Sequence, residues 1–148
     1  MNGDKNTQLC TFRVADLFCG VRIGEVREIL RFHELTPVPL APPEVTGLIN
    51  IRGLVVPAID MRVRLQKPKR SHQDNLINVV VQDEEQATSL IVDTIEDVID
   101  VGSELYEAAP QTLSKAAQYY LRGVYKLDVG LLLELDVGRV TDVFYDHN

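Results

Sequence analysis

The chain has 148 residues, of which 45% are apolar and 25% charged, an ordinary composition for one soluble domain that buries its own core. Its 22 acidic and 15 basic residues give a formal charge of −7, which argues against binding to nucleic acid or to an anionic membrane surface. The longest uninterrupted apolar run, residues 54–59, contains Pro57, so we expect no insertion into a membrane.

The first residues and the two cysteines indicate a reducing compartment. Residues 1–7 are polar and do not resemble a signal peptide, so we expect a cytoplasmic protein. Segments 9–14 and 18–23 are typical of two strands that turn at Ala15 and Asp16. In that hairpin Cys10 lies opposite Val21 rather than Cys19, and no disulfide is expected.

Short strand-like segments dominate the chain. They are rich in Val, Ile, Leu, Tyr and Thr, and Gly, Pro, Asp or Asn flanks most of them. Ten strands at a spacing near ten residues favour barrels or sandwiches over a parallel α/β sheet. The predicted strands are residues 9–14, 18–23, 36–40, 47–51, 54–60, 76–82, 89–93, 97–101, 119–127 and 131–135.

Helical segments are few. Residues 23–31 fit a helical face and a strand alternation equally well, and both interpretations stay open. Residues 113–121 are a second candidate. A third begins after Asp136, whose side chain can accept hydrogen bonds from the first amides of a helix.

Prolines restrict two segments. Four prolines lie within residues 37–43, which predicts an edge or a connector, since a central strand cannot lose so many hydrogen-bond donors. Pro57 lies inside a predicted strand, so that strand needs an edge or a bulge at this residue.

Two glycine-rich units resemble one another. Gly47 to Asp60 and Gly123 to Asp136 each contain a second glycine between two apolar runs and end at an aspartate. A glycine at a hairpin tip supplies the positive φ that tight turns require. We therefore expect one such hairpin in each half of the chain.

The segment 62–74 is polar and basic. It is either a small anion-binding patch or a solvated connection between the halves. The connection is favoured, since an acidic chain without aromatic residues between these cations is poorly suited to nucleic acid.

Catalytic and metal-binding patterns are lacking in the sequence. There is no phosphate-binding glycine loop, and His33, His72 and His147 are too far apart for ligand spacing, so we expect no metal and no cofactor. Four aspartates stand at strand ends, where turns and helix caps are the usual roles. Acid–base catalysis by these residues is the enzymatic alternative; they are Asp60, Asp93, Asp128 and Asp136.

A binding surface is the favoured interpretation. Arg52 stands in a turn between two apolar strands, where a guanidinium can hold carbonyls or carboxylates of a partner. Several apolar residues exceed what two small barrels need, and we expect them to line a seam between halves; they are Ile23, Val26, Ile29, Val98 and Ile99.

A set of motifs, in this order and spacing, resembles the CheW family of bacterial chemotaxis coupling proteins over nearly the whole chain. The matching segments are residues 26–30, 36–39, 41–43, 47–53, 55–62, 90–93, 120–124 and 131–136. The resemblance implies a mainly β fold of two SH3-like five-stranded barrels with a hydrophobic seam. It places one domain at residues 8–145, with halves at 9–65 and 75–145 that can exchange strands.

The resemblance also implies a non-catalytic adaptor. It would join the regulatory domain of a CheA-type histidine kinase to the cytoplasmic tip of chemoreceptors. It would be a monomer when isolated and would be recruited to membrane-associated receptor arrays. Carried over residue by residue, kinase binding is expected at Val26, Glu28, Gly47 and Gly53. Receptor binding is expected at Ile29, Arg52 and Val98.

Some residues depart from the family pattern. Ser89 replaces a common glycine, and Glu134 interrupts an apolar strand, where we expect it to face solvent or a partner because burial of an unpaired charge is costly. These departures leave the choice of partner open. Adaptors of twitching, gliding or second-messenger systems are the alternative function.

Overall fold

The computed structural model describes residues 6–31, 34–69, 76–84 and 86–142. Strands dominate these residues and the helices are very short, so the prediction of a mainly β fold is confirmed. The histidines all lie outside the described residues. The elements are β1 (Thr7–Val14), β2 (Leu17–Arg22), β3 (Val26–Leu30), β4 (Val45–Ile51), β5 (Leu54–Asp60), α1 (Met61–Arg64), β6 (Ile77–Asp83), β7 (Gln86–Val92), β8 (Thr94–Val101), β9 (Tyr106–Glu107), α2 (Lys115–Tyr119), β10 (Leu121–Leu127), β11 (Gly130–Leu135) and α3 (Val137–Val140).

The strands form two sheets that exchange strands along the chain. Sheet A has the order β8-β1-β2-β11-β10-β9, and sheet B has the order β3-β6-β7-β5-β4. After the β1–β2 hairpin the chain leaves sheet A, and β3 pairs with β6 in sheet B. After the β6–β7 hairpin it returns, and β8 pairs with β1. Each sheet therefore takes strands from both chain halves, 9–65 and 75–145, instead of one half forming one sheet.

The strand registers reveal an internal repeat that is closer than the glycine pattern suggested. Ala58 pairs with Ser89 in sheet B as Glu134 pairs with Gly20 in sheet A. Each sheet also contains one hairpin of the predicted kind, β4–β5 and β10–β11. Both hairpins end at an aspartate that caps the next short helix: Asp60 accepts from Arg62 N and Asp136 from Arg139 N.

The largest hydrophobic cluster lies between the two sheets, and we call this cluster the seam. It combines Phe12 and Val21 of sheet A with Val79 and Leu90 of sheet B, and it includes buried residues of α1, α2 and α3. One smaller cluster fills the interior of each sheet. The seam thus joins both sheets through one continuous apolar core.

Three of the residues expected in the seam lie outside it. Ile23, Ile29 and Val98 are 44%, 42% and 50% exposed. Ile29 and Val98 occupy β3 and β8, the outer strands of sheets B and A, where one face meets solvent. Val26 packs against the seam as expected, whereas Ile99 packs in the interior of sheet A.

Several local predictions are corrected. Residues 23–31 form a single 3-10 turn followed by β3, so the segment holds one helical turn and its larger part is strand. Residues 36–40 make only one bridge, Thr36 to Leu48, because the prolines remove the donors of a longer ladder. The helix expected at 113–121 is shorter, with Ser114 as its N-cap.

Pro57 pairs with Leu48 of β4 at a position of β5 where no ladder hydrogen bond is needed. Leu48, which lies opposite Pro57, directs both its amide and its carbonyl to Thr36, at 2.8 Å each, so β4 needs no donor from Pro57. On its other side β5 pairs with β7 only from Ala58 to Asp60. The missing proline donor therefore costs no ladder bond.

Candidate docking surface

The outer strand β3 provides one wall of the candidate site. It pairs with β6 on one side and has no neighbouring strand on the other among the described residues. A register shift between Val26 and Glu28 bulges the strand at Arg27. Val26 is half-buried against the seam, while Ile29 projects to the surface.

The tight turn between β4 and β5 provides the other wall. Arg52 and Gly53 have φ values of 51° and 89°, so both central residues are left-handed, as in the turns that suit a twisted hairpin. The side chain of Asn50 accepts a hydrogen bond from Gly53 N at 2.8 Å. Glycine meets no steric cost in this conformation, and the turn directs the Arg52 side chain outward.

An ion pair joins the two walls. Arg52 Nη2 donates to Glu28 Oε2, with the arginine side chain 73% exposed and the glutamate side chain 21% exposed. Arg52 is therefore a paired turn residue and not a freely solvated one. A guanidinium has five N–H donors, which is more than the bond to Glu28 uses.

A small concave surface adjoins this pair, with a cavity volume of about 160 Å³. Its walls combine charged and apolar side chains, which suits a polar anchor beside an apolar contact. Leu54 and Val55 at the start of β5 are 43% and 56% exposed. The lining residues are Arg27, Glu28, Ile51, Arg52, Leu54, Val56 and Val80.

The structure brings some of the predicted site residues together and separates others. Glu28, Arg52 and Gly53 lie at this surface, and Ile29 follows Glu28 on the same strand. Gly47 lies within β4, where an added Cβ would come within 2.7 Å of the Thr36 carbonyl oxygen. Val98 lies on the outer strand of the other sheet. The predicted positions therefore divide between sheets B and A.

The internal repeat shows why the ion pair occurs only in sheet B. Following the registers, Glu28 corresponds to Asp97, and Arg52 corresponds to Asp128. Two carboxylates cannot form an ion pair with each other, so this cross-link has no counterpart in sheet A. By the same registers Ile29 corresponds to Val98, and both are exposed aliphatic residues on outer strands.

A second concave surface lies on sheet A, with a cavity volume of about 240 Å³. It is mainly apolar, and sequence reasoning did not identify it. Its residues come from the β1–β2 turn and the start of β2, from β11, and from the segment before α2, which are distant in sequence. They are Asp16, Leu17, Phe18, Pro110, Thr112, Leu113, Leu131 and Leu133.

The expectation that Glu134 faces solvent or a partner is wrong. Glu134 has 0% exposure, and both oxygens of its carboxylate accept hydrogen bonds. It accepts from Arg22 Nε at 2.8 Å, from Arg122 Nη1 at 3.4 Å and from the Tyr125 hydroxyl at 3.1 Å. Burial, and then the neighbouring Glu134 charge, raise the pKa of Tyr125, which keeps its hydroxyl a donor.

The basic segment 62–74 is more than a solvated connection in its described part. Arg62 forms a bidentate pair with Asp93, with contacts of 2.6 to 3.1 Å, and this hydrogen bonding raises the pKa of Arg62. Lys67 Nζ lies 2.9 Å from Asp16 Oδ1. Arg62 and Lys67 therefore bind groups of the protein itself instead of forming a shared anion site.

Three of the four strand-end aspartates have structural partners, and Asp128 lies exposed in the turn between β10 and β11. Asp60 and Asp136 cap α1 and α3, and Asp93 binds Arg62 and accepts from Ala15 N at 2.8 Å. In the residues that the structure describes, no group of three or more His, Cys, Asp or Glu side chains could hold a metal ion. None of the described helices is long and apolar enough to cross a membrane.

Comparison with known proteins identifies the family to which this architecture belongs. Residues 8–143 match the family model described as a CheW-like domain. The chain belongs to the CheW family. It is 33% identical over 131 residues to the chemotaxis protein CheW of Rhizobium meliloti, covering 87% of this chain and 84% of that protein. It is 28% identical over 141 residues to CheW of Treponema pallidum, covering 93% and 83%.

A solved CheW structure shares the fold. The crystal structure of the scaffolding protein TtCheW from Thermoanaerobacter tengcongensis matches with a TM-score of 0.84 and 24% identity, covering 97% of each chain. The prediction of an SH3-like β fold is confirmed. CheW proteins are chemotaxis adaptors, and the general role of the family is to couple chemoreceptors to the kinase CheA.

Proposed function

We propose that this CheW-family protein is a non-catalytic adaptor that couples a chemoreceptor to a CheA-type histidine kinase. The observation that carries the proposal is the ion-paired surface of sheet B, where Glu28 and Arg52 lie beside exposed apolar residues. An apolar area with a polar anchor is suited to a protein partner. The protein would act in the cytoplasm, where it is recruited to membrane-associated receptor arrays. When isolated, it would be a monomer.

The two partners would contact neighbouring positions of sheet B, and the receptor would also contact Val98 of sheet A. We assign the kinase to the side of β3 and the hairpin, at Val26, Glu28, Gly47 and Gly53. The receptor is assigned to Ile29, Arg52 and Val98. Since Glu28 and Arg52 form one ion pair, a partner that draws on either side chain changes the state of the other. Such sharing would link the two binding equilibria, which is what an adaptor needs.

Affinity in an array would come from repetition. Each contact surface is small, and we expect each isolated interaction to be modest. Simultaneous engagement of several kinases and receptors raises the effective concentration of every further contact. The adaptor would therefore bind weakly in isolation and assemble firmly in receptor clusters.

Reversal of the Arg52 charge tests the proposal. Arg52→Glu places two carboxylates together, and we expect about a tenfold or greater loss of affinity in assembly with purified CheA and receptor fragments, because an anchoring arginine is commonly worth about 1–2 kcal/mol or more. Folding should be preserved, since the side chain is mostly exposed. Kinase activity in the reconstituted mixture is the second readout.

The matched control is Lys126→Glu, which makes the same charge change at an exposed position on the equivalent hairpin of sheet A. Assembly by this variant should match the unaltered protein. Full kinase activation by Arg52→Glu would refute the assignment of the site. If the unaltered protein assembles only with the kinase and receptor of a twitching, gliding or second-messenger system, that alternative function is established.

A further inference from the structure

The short helix α1 carries an arginine with an unusual set of partners. The Arg64 side chain is 7% exposed. Its Nε donates to the Val140 carbonyl at 2.9 Å, and its Nη2 donates to the Arg139 and Asp142 carbonyls at 3.1 and 3.3 Å. The first two carbonyls belong to the end of α3, and the Asp142 carbonyl follows it, where helical hydrogen bonding stops. Arg64 therefore caps a helix that lies 76 residues further along the chain.

The same guanidinium also holds two other segments. Nη1 donates to Glu44 Oε2 at 3.3 Å, just before β4 of sheet B. The guanidinium carbon lies 4.5 Å from the ring centroid of Tyr120, which directly precedes β10 of sheet A. One side chain thus contacts segments that lead into both sheets and the helix that ends the second repeat.

The repeat indicates that the fold itself does not require an arginine at this position. Counting from the capping aspartates, Asp60 and Asp136, Arg64 corresponds to Val140. Val140 is fully buried and packs in the seam. A buried cation is costly unless its partners are well placed, so an apolar residue would be the simpler occupant of both positions. The arginine adds directional bonds at the place where the two repeats meet.

Two further cations extend the contact from α1 to sheet A. Arg62 binds Asp93, whose carboxylate also accepts from Ala15 N in the β1–β2 turn. Lys67 binds Asp16 in the same turn. The segment 61–67 therefore contacts the β1–β2 turn on one side and the end of α3 on the other.

We propose that α1 is the joint that fixes sheet B relative to sheet A, with Arg64 as its main positioning residue. Apolar packing in the seam is non-directional, whereas the Arg64 bonds define one arrangement. The joint directly follows β5, the strand that begins at the candidate docking surface. Resting on the proposed function, this inference explains how binding on one sheet would be transmitted to the other as a rigid-body change.

The test measures the arrangement of the sheets in the isolated protein. Spin labels are attached at Val55→Cys in β5 and Lys126→Cys in β10, both exposed. The native Cys10 and Cys19 are buried and should stay unlabelled. We expect one narrow distance distribution in the Arg64-containing protein and loss of that single distance in Arg64→Met. Arg64→Lys, which keeps the charge but has fewer directed donors, should be intermediate.

A control separates the joint from general destabilisation. Leu132→Ala removes buried volume from the interior of sheet A without touching the joint, and its distance distribution should remain narrow. If Arg64→Met does not fold, Arg62→Met serves as the second variant, and it should broaden the distribution. If folded Arg64→Met, or Arg62→Met in its place, gives a distance distribution as narrow as that of the unaltered joint, the proposal is overturned.

A functional readout distinguishes this inference from the proposed function. Folded Arg64→Met should bind CheA and receptor fragments separately with unchanged affinity, yet lose about fivefold or more of receptor control over the kinase. If receptors control the kinase through Arg64→Met as well as through the unaltered protein, the proposed joint is refuted. Failure of the unaltered protein to bind CheA or receptor fragments would refute the proposed function, while the distance measurement would still decide the joint.

Discussion

Glu134 illustrates how a charge occupies the interior of a strand. Its equivalent in the other repeat is Ala58, which is also buried. The carboxylate is tolerated because Arg22, Arg122 and the Tyr125 hydroxyl surround it. Arg122 additionally lies 3.5 Å from Glu25, so the cluster ties β10 and β11 to the 3-10 turn that precedes β3. Paired charges therefore connect sheet A to the strand that crosses into sheet B.

Glu25 in this cluster predicts a pH dependence. Its Oε1 is buried without a hydrogen-bond partner, and burial raises the pKa of Glu25 despite the nearby Arg122. Because the folded pKa exceeds the unfolded one, the folded state binds the proton more tightly. The resulting stability is fully present below the ordinary pKa of a glutamate and is lost as pH rises through the raised pKa.

Glu25→Gln should therefore gain stability relative to the unaltered protein as pH rises from acidic to neutral. Urea unfolding over that pH range measures the free-energy difference. Glu107→Gln, at an exposed position on β9, is the matched control and should show no such trend. A difference that is constant with pH would contradict the prediction.

The hairpin β4–β5 shows that a residue can matter for binding without contacting a partner. Gly47 and Gly53 were both predicted to bind the kinase, yet their surroundings differ. Gly53 forms the exposed turn beside Arg52, whereas Gly47 lies against the backbone of Thr36. The contact with Thr36 holds the proline-rich segment 36–43 to sheet B through the Thr36–Leu48 bridge.

Gly47→Ala should consequently destabilise the fold. Its Cβ would meet the Thr36 carbonyl oxygen at 2.7 Å, and backbone cannot easily move aside, so we expect a loss of about 1–3 kcal/mol in the free energy of unfolding. Gly24→Ala is the control, because no atom lies within 4 Å of its added Cβ. Equal stability of the two variants, measured by urea unfolding, would contradict this interpretation of Gly47.

At the scale of the whole molecule, the seam makes the two sheets one cooperative unit. The chain crosses to the other sheet after the β1–β2 hairpin and again after the β6–β7 hairpin. Each sheet therefore needs strands from both halves of the chain. Opening the seam would expose residues of both sheets together. A single cooperative unfolding transition is the expected consequence.

The buried thiols report on that opening. Cys10 and Cys19 both lie in the seam, and burial raises the pKa of Cys19 to about 12 and also raises the pKa of Cys10. Only the thiolate reacts with iodoacetamide, so both cysteines should resist alkylation in the native protein, Cys19 more than Cys10. Both should react fully in denaturant. Rapid native alkylation of Cys19, detected by mass spectrometry, would contradict a closed seam.

Sequence alone determined most of the local elements, though not all of their ends. Alternation of apolar residues predicted most strands, the glycine at position 53 marked the hairpin turn in which Arg52 also lies, and Asp136 was identified as a helix cap. The hairpin register placed Cys10 opposite Val21, as observed. These features depend on residues that are close in sequence, which is why a single chain reveals them.

Tertiary structure decided which distant segments meet. The Arg22–Glu134 pair spans 112 residues, and the Arg64–Val140 bond spans 76. No local pattern distinguishes a charge that is solvated from one that is buried beside a partner from another strand, so Glu134 was misinterpreted and the partners of Arg62 and Lys67 were not predicted. The exchange of β3 and β8 between sheets, which positions Ile29 and Val98 on outer strands, likewise depends on long-range packing and not on local preference.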